Sequence, residues 1–332
     1  MSGPPERTYR IGPLAITAAM APGPAADVID ATLGLYDVRW PTGAVDRTVA
    51  IDVTDTRVAG KPPFVGDYLQ AANMVVDRTP EGLRASTLGG ALACGSFGSR
   101  GETWRLDIPQ ELAGGDRAFE IEDLLSLILT TGWRRAGWVP LHGAGLVRDS
   151  RGLLCVATSG GGKTTFTVSM IRRGWRALGD DKLLLSANDR PPRIVGLLHV
   201  LNLDPAAGAW FPELGDLVDV APYSEGSPKR RQPIDGRWRG GTALEMAPTD
   251  LLVLERADER CGILATPLST AEVAGALLRQ TVVPSDPEIA AMIVRALGAL
   301  AVELRGWHVV LGCDAYEEAG PLDALETALG CR

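Results

Sequence analysis

The chain has 332 residues, a length that accommodates two domains or one large domain with an extension. Its formal net charge of -8 argues against broad nucleic-acid binding, which needs a basic face, but leaves room for a local anion site. The five cysteines are scattered and include no C-x-x-C pair, so neither a disulfide framework nor a structural zinc site is expected. The chain begins without a basic segment followed by an apolar run, and no window of about 18 residues is apolar enough to span a membrane. We therefore expect a cytoplasmic protein that binds neither nucleic acid nor membranes.

The N-terminal third alternates short apolar segments with turns. Strand patterns cover residues 9–17, 48–53 and 103–108, and glycine and proline punctuate the intervals between them. This pattern predicts an antiparallel sheet, and we assign residues 1–115 to an N-terminal β-rich domain. The segment contains no histidine and its acidic residues are dispersed, so we place no chemistry in it.

A helix pattern and then an alternation of strands and helices follow. Residues 119–129 have apolar side chains at helical spacing and acidic residues in the first turn, so we assign residues 116–137 to a linking helix. Residues 153–157 are continuously apolar, as expected for a strand that is buried on both faces. The alternation predicts an α/β domain over residues 138–332.

The segment after this buried strand is rich in glycine and ends in lysine and threonine: Ala157-Thr158-Ser159-Gly160-Gly161-Gly162-Lys163-Thr164-Thr165. It matches the phosphate-loop pattern G-x-x-x-x-G-K-[ST], except that alanine replaces the first glycine. Glycines let the backbone curl so that several N–H groups face phosphate oxygens, and the following helix adds its positive N-terminal dipole. We expect residues 159–165 to bind a nucleotide, with Lys163 neutralising the transferred phosphate. A plain glycine-rich turn is the alternative, but it explains neither the lysine and threonines nor the apolar strand.

Two adjacent carboxylates, Asp180 and Asp181, follow the next predicted strand. Phosphoryl transfer to a hydroxyl uses a magnesium ligand and a group that accepts the hydroxyl proton. Adjacent aspartates at a strand end can supply both, because their side chains diverge, and their mutual repulsion would raise the pKa of one of them. A solvated Asp-Asp turn is the alternative, but the strand–helix–strand context favours a functional pair.

His142 and a basic segment are the remaining candidates. His142 lies on the strand before the loop strand, where it can act as a hydrogen-bonding or positively charged group near phosphate. An ordinary core or turn histidine is the alternative. Lys229, Arg230 and Arg231 lie in the polar, turn-rich segment 223–232, which we expect to be a mobile loop. Arginine suits phosphate because its guanidinium group donates two parallel bonds, although a solvated charged loop is the alternative.

The order of these features resembles the HPr kinase/phosphorylase family over residues 139–186. The resemblance is carried by His142-Gly143, the glycine-rich loop, Arg173-Gly174 and Asp180-Asp181. Members are bacterial protein-serine kinases whose phosphate-loop domain is related to phosphoenolpyruvate carboxykinase. The N-terminal third differs from the usual domain of that family, so the chain looks more like its divergent members. Some of those act in peptide natural-product pathways, among them lasso-peptide kinases.

The resemblance implies catalytic roles for Asp180, Asp181, His142 and Lys163. Thr164 and one aspartate would organise Mg²⁺, and the other aspartate would deprotonate the acceptor hydroxyl. We take Thr164 and Asp181 as the expected magnesium ligands, although the sequence does not decide which aspartate is the base. His142 would sit beside the transferred phosphate.

We predict an ATP- and Mg²⁺-dependent kinase that phosphorylates a hydroxyl, with a serine of a peptide or small protein as the preferred acceptor. The resemblance places Lys229–Arg231 where the family has a mobile, substrate- or phosphate-binding loop with arginines. A small-molecule hydroxyl kinase is the first alternative. A nucleotide-binding regulatory protein without transfer activity is the second, and Lys163 and the aspartate pair count against it. ATP versus GTP, a phosphorylase activity and the oligomeric state, a homo-oligomer included, stay open at this stage.

Overall fold

A computed structural model describes residues 4–36, 45–56, 67–70, 73–158, 160–222, 228–257, 259–316 and 320–330. The chain divides into two compact units. The first contains Met1–Trp138 and Val283–Met292, and the second contains Val139–Val282 and Ile293–Arg332. Within the described ranges, no helix combines the length and the apolar character needed to cross a membrane. The protein is a mixed α/β structure with several sheets.

The first unit is built on one eight-stranded sheet. Its strands are β1 (Glu6–Ile11), β2 (Leu14–Ala19), β3 (Arg47–Thr56), β4 (Leu69–Gln70), β5 (Met74–Arg78), β6 (Gly82–Thr87), β7 (Leu92–Phe97) and β8 (Gly101–Pro109). They are arranged in the order β1-β2-β3-β8-β7-β6-β5-β4. Strand β3 runs parallel to both β2 and β8, whereas the other neighbouring pairs are antiparallel. The prediction of an antiparallel sheet is therefore wrong at β3.

A helix that the sequence patterns did not indicate explains the parallel pairing. Helix α1 (Pro24–Tyr36) lies between β2 and β3 and supplies the crossover that a parallel pair requires. It buries Ile29 and Leu33 on its inner face. Residues 9–17, predicted as one strand, instead contribute to the β1–β2 hairpin, whose turn contains Gly12 with a φ of 61°. Glycine adopts this left-handed conformation without steric cost.

Two further helices lie wholly among the described residues of the first unit: α2 (Gln110–Ala113) and α3 (Phe119–Arg135). Helix α3 contacts α1 and carries acidic residues in its first turn and arginines in its last turn, as the helix dipole favours. Its Trp133 donates the indole N–H to the carbonyl oxygen of Ile11 at 3.4 Å. The helix predicted as a link therefore packs within the first unit.

The second unit contains twelve named strands. They are β9 (Trp138–His142), β10 (Ala144–Arg148), β11 (Arg151–Ala157), β12 (Arg176–Gly179), β13 (Lys182–Ser186), β14 (Ile194–Gly196), β15 (Val200–Leu203), β16 (Arg230–Pro233), β17 (Glu245–Met246), β18 (Asp250–Arg256), β19 (Ile263–Leu268) and β20 (Arg305–Leu311). They form a six-stranded sheet, β12-β10-β11-β18-β20-β19, a four-stranded sheet, β17-β14-β13-β9, and the pair β15-β16. Strands β11, β18 and β20 are mutually parallel. Their carboxyl ends therefore meet at one edge, where α/β sheets commonly bind ligands.

The described helices of the second unit are α4 (Lys163–Arg172), α5 (Ile234–Arg237), α6 (Thr270–Leu278) and α8 (Pro321–Ala328), and α7 (Pro287–Glu303) has residues in both units. Short 3-10 helices occupy Pro205–Ala209 and Pro212–Asp219. Helix α4 buries Phe166 and Met170 in a core that also contains Trp175 and apolar side chains of β11 and β18. This packing fixes the start of α4 at the carboxyl edge of the six-stranded sheet.

Candidate active site

The phosphate loop lies between the buried strand β11 and helix α4. Strand β11 ends at Ala157, which is buried, and α4 begins at Lys163. Gly160 and Gly162 have φ values of 79° and 86°, in the left-handed region that favours glycine. A Cβ atom added to Gly161 would lie 2.9 Å from the Cβ of Ala157. The glycines therefore determine the course of the loop.

The first turn of α4 contains Lys163, Thr164 and Thr165. The leading N–H groups of a helix have no carbonyl partner within the helix, and the helix dipole favours an anion there. The N–H of Phe166 donates to the carbonyl oxygen of Gly162 at 2.8 Å and closes the first turn. The N–H groups of Lys163, Thr164 and Thr165 in this turn are therefore available to phosphate oxygens, whereas that of Gly161 donates to the carbonyl oxygen of Thr158.

Asp180 directly follows the end of β12, beside the first turn of α4. It is almost fully buried, with 3% of the residue exposed. The hydroxyl of Thr164 donates to its Oδ2 at 2.7 Å. The other oxygen, Oδ1, is buried without a hydrogen-bond partner. Leaving a carboxylate oxygen unsatisfied in the interior is costly, so this atom marks a position for a cation or a proton.

Burial raises the pKa of Asp180 to about 6, and the negative charge of Asp181 adds to the shift. The hydrogen bond from Thr164 and the charge of Lys163 oppose it. The repulsion expected between the two aspartates is therefore present, but removal of the Asp180 carboxyl from water is the larger cause.

A second set of contacts joins Lys163, His142 and Asp181. The ammonium of Lys163 lies 2.8 Å from Nε2 of His142, and Nδ1 of the same ring lies 2.9 Å from Oδ1 of Asp181. A lysine ammonium can only donate, so Nε2 accepts and Nδ1 carries the proton that is donated to the carboxylate. His142 thereby bridges the ammonium of Lys163 and the carboxylate of Asp181.

The environment favours the ionised form of Asp181. Burial acts to raise its pKa, but the hydrogen bond from His142 and the electrostatic interactions with His142, Lys182 and Lys163 more than offset burial, so the pKa is lowered. About a third of the side chain is exposed, in contrast to the buried Asp180. The pKa of Lys163 is lowered, chiefly by burial, although both aspartates act to raise it. The accessible anion of the pair is therefore Asp181.

The basic segment lies partly on a strand rather than in a mobile loop. Arg230 and Arg231 begin β16, which pairs with β15 so that Arg231 lies opposite Asn202. The backbone N–H of Asn202 acts to lower the pKa of Asp180. Lys229 is close enough to Lys163 for its charge to lower the pKa of that lysine. Residues 223–227 of the predicted loop lie outside the described residues.

A small crevice opens on another side of the phosphate loop. It is lined by Gly162, Thr165, Trp210, Arg256, Gly312, Cys313 and Tyr316. The Tyr316 hydroxyl donates to the carbonyl oxygen of Gly162 at 3.4 Å. Sequence patterns did not indicate Tyr316 or Asn202, because these residues come from distant segments without a local motif of their own.

The structure gathers five of the predicted site residues at one place: His142, Lys163, Thr164, Asp180 and Asp181. Gly160, Gly161, Gly162 and Thr165 border them in the loop and the first turn of α4. Ser159 lies outside the described residues. The Thr164 hydroxyl bonds to Asp180, whereas Asp181 bonds to His142.

Comparisons with known proteins give little beyond a distant fold similarity. No family model matches the chain, and no curated protein matches it. Among solved structures, the chain is similar to the Hpr(Ser) kinase/phosphatase from Coxiella burnetii, with 10% sequence identity and a TM-score of 0.31. The match covers 58% of this chain and 93% of that one. At this TM-score the similarity carries no argument about activity.

Proposed function

We propose that the protein is an ATP- and Mg²⁺-dependent kinase that transfers the γ-phosphoryl group to a hydroxyl, with a serine of a peptide or small protein as acceptor. One observation carries the proposal: a glycine-rich loop at a helix start borders two separate carboxylates in different environments. Asp180 is buried beside Thr164, and Asp181 is accessible and ionised beside His142. Phosphoryl transfer uses one group for a cation and another for the acceptor proton.

Asp180 and Thr164 fit a magnesium ion. Mg²⁺ prefers oxygen ligands, and it is commonly held by few protein groups together with water and substrate phosphates. The unsatisfied Oδ1 of Asp180 and the Thr164 hydroxyl offer such oxygens next to the phosphate loop. A bound cation would also favour the ionised form of a carboxyl whose pKa burial has raised. We therefore propose Asp180, in place of Asp181, as the ligand; when bound, the ion would neutralise charge on the nucleotide phosphates.

Asp181 is the group that we assign to the acceptor hydroxyl. It is ionised near neutral pH, because its pKa lies below the usual value despite partial burial. The Nδ1–H of His142 holds one carboxylate oxygen, so a second oxygen remains to accept the hydroxyl proton. Lys163 would leave His142 to stabilise charge on the transferred phosphoryl group. Asp180 is too buried to meet an acceptor directly.

The acceptor side is proposed to include the β15–β16 pair. Arg230 and Arg231 lie opposite Leu203 and Asn202, and Lys229 precedes them. The backbone N–H of Asn202 acts to lower the pKa of Asp180. Such a surface favours an acceptor with acidic groups near its hydroxyl. A peptide serine flanked by Asp or Glu is therefore expected to be preferred over one flanked by Lys or Arg.

The test is an incubation of the full chain with γ-labelled ATP and Mg²⁺. The acceptors are serine peptides with acidic, neutral or basic flanks, HPr and small alcohols. Label on a serine, with the acidic flank preferred, is the expected result. If only a small alcohol is labelled, the acceptor is a small molecule and the proposed peptide acceptor is wrong. Binding of ATP without transfer to any acceptor or to water would contradict the kinase assignment, and the Asp181→Asn variant is the matched control for background labelling.

A further inference from the structure

Two cysteines and an aspartate meet at the same sheet edge that holds the phosphate loop. Cys261 lies in the turn between β18 and β19, and Cys313 and Asp314 follow β20. Because β18 and β20 are parallel, the segments that leave their carboxyl ends emerge side by side. We name Cys261, Cys313 and Asp314 the cysteine–aspartate cluster. Cys313 also lines the crevice beside Gly162 and Thr165, but none of the three residues is among the groups assigned to phosphoryl transfer.

The backbone holds the two segments of the cluster together. The N–H of Gly312 donates to the carbonyl oxygen of Gly262, and the N–H of Cys313 donates to that of Arg260, both at 2.9 Å. Gly262 has a φ of 80°. A Cβ atom at Gly312 would lie 2.7 Å from the carbonyl oxygen of Gly262, so only glycine permits this approach. The turn therefore positions both sulfur atoms.

The carboxylate is oriented by the same turn. The backbone N–H of Gly262 donates to Oδ1 of Asp314. A carboxylate has two oxygens with several lone pairs, so this bond fixes the direction of the group and leaves an oxygen for a metal ion. The donor atoms of the three residues all lie within 4.8 Å of one another.

The distance between the sulfurs suits a shared metal ion. Sγ of Cys261 lies 3.7 Å from Sγ of Cys313. Two thiolates bound at about 2.3 Å to one tetrahedral zinc ion lie roughly 3.8 Å apart. Both cysteines are exposed, so an ion can reach them. Two sulfurs and one carboxylate oxygen fill three tetrahedral positions and leave the fourth to water.

We propose that the cysteine–aspartate cluster binds a thiophilic divalent ion of the zinc type through Cys261 Sγ, Cys313 Sγ and a carboxylate oxygen of Asp314. Soft thiolate ligands select zinc-like ions over Mg²⁺, so this site and the Thr164–Asp180 position take different metals. Both thiols lose their protons on binding, and the ion replaces them. The sequence spacing predicts no zinc site, because the two cysteines are 52 positions apart and share no local motif.

Cobalt(II) is the spectroscopic probe of this proposal. Tag-free full chain, reduced and freed of metal with a chelator, is titrated with Co²⁺ and then with Zn²⁺. A thiolate-to-cobalt charge-transfer band that saturates at one ion per chain and disappears with Zn²⁺ is expected. Cobalt at Thr164–Asp180 gives no such band, because that position has only oxygen ligands. The absorption band does not depend on phosphoryl transfer, so this experiment tests the metal site independently of the kinase assignment.

Variants locate the ion. Cys261→Ser and Cys313→Ser are expected to lose the band, with circular dichroism confirming the fold. Since even outer-shell partners of a metal contribute about 10- to 100-fold to affinity, Asp314→Asn is expected to keep the band but bind at least about tenfold more weakly. Cys94→Ser, which changes an exposed thiol elsewhere, is the matched control and should bind as the unmodified chain does.

Three results would overturn the proposal. The first is the absence of a charge-transfer band in the reduced chain. The second is a band that persists in both Cys261→Ser and Cys313→Ser. The third is a disulfide between these cysteines, found by non-reducing peptide mapping after exposure to air, in a chain whose reduced form binds no Co²⁺; that result would make the cluster a redox pair.

Discussion

Replacing Asp180 by asparagine is expected to make the metal-free protein more stable. Burial raises the pKa of Asp180 from an ordinary value of 3.8 to about 6. A difference of about two pKa units corresponds to a cost of roughly 3 kcal/mol for keeping the folded carboxyl ionised near neutral pH. Asparagine keeps the shape of the protonated form without the charge. Asp180→Asn is therefore expected to raise the free energy of unfolding at pH 7.5 by up to about 3 kcal/mol.

The sign of this effect fixes its pH dependence. The folded state binds the Asp180 proton more tightly than the unfolded state, so the stability from protonation is fully present below about pH 4 and is lost as the pH rises through about 6. Between pH 7.5 and pH 5 the advantage of Asp180→Asn should shrink by roughly 1.4 kcal/mol, because the unmodified carboxyl takes up its proton.

Guanidinium unfolding of the metal-free, nucleotide-free chain at a series of pH values measures this advantage. Asp181→Asn is the matched control, since the pKa of Asp181 is lowered and not raised. A lowered pKa contributes stability above the unfolded pKa that is lost on acidification, so Asp181→Asn should be destabilising at pH 7.5 and less so at lower pH. An Asp180→Asn variant that is no more stable than the unmodified chain, or equally stabilised at every pH, would refute the reasoning about the buried carboxyl.

Three further changes probe the loop and the histidine. Lys163→Met should lower kcat about 10²- to 10³-fold in a labelled-phosphate assay, since it removes charge stabilisation of the transferred group; an unchanged kcat would contradict that role. Gly161→Ala should weaken nucleotide binding in a fluorescence titration, because the added Cβ lies within 3.2 Å of three atoms, whereas Gly298→Ala in α7 meets nothing within 4 Å and should have no effect. His142→Asn should move the acidic limb of the kcat/KM profile to higher pH, because burial of Asp181 is then no longer offset by the imidazole bond; an unmoved limb would show that His142 does not set that pKa.

Local signals predict the elements that carry the loop. A continuously apolar run and a glycine-rich segment ending in Lys163 indicate a strand, a loop and a helix, and β11 and α4 lie there. Both strands beside the aspartate pair were also indicated, and β12 and β13 flank that pair. These features depend on a few consecutive residues, so a single sequence is sufficient for them.

Long-range pairing is what the sequence patterns miss. Helix α1 was not indicated, and without it the parallel pairing of β3 has no visible cause. Arg230 and Arg231 appear polar and turn-rich in sequence, yet their backbone pairs with β15, whose alternate residues Leu201 and Leu203 are buried. The approach of the two cluster cysteines likewise joins segments with no shared periodicity.

For the same reason, the sequence does not decide which aspartate binds the metal ion and which accepts the hydroxyl proton. Both residues have the same side chain, and only the fold buries Asp180 beside Thr164 and exposes Asp181 beside His142. Burial, not mutual repulsion, is the larger cause of the raised pKa of Asp180.

The most direct test of the central claim compares the unmodified chain with Asp181→Asn and Asp180→Asn. Transfer of label from γ-labelled ATP and binding of Mg²⁺–ATP are measured in parallel on all three. We expect Asp181→Asn to lose transfer while keeping its affinity for Mg²⁺–ATP, and Asp180→Asn to lose the Mg²⁺-dependent part of that affinity. Full transfer activity in Asp181→Asn, or unchanged Mg²⁺-dependent binding in Asp180→Asn, would contradict the central claim.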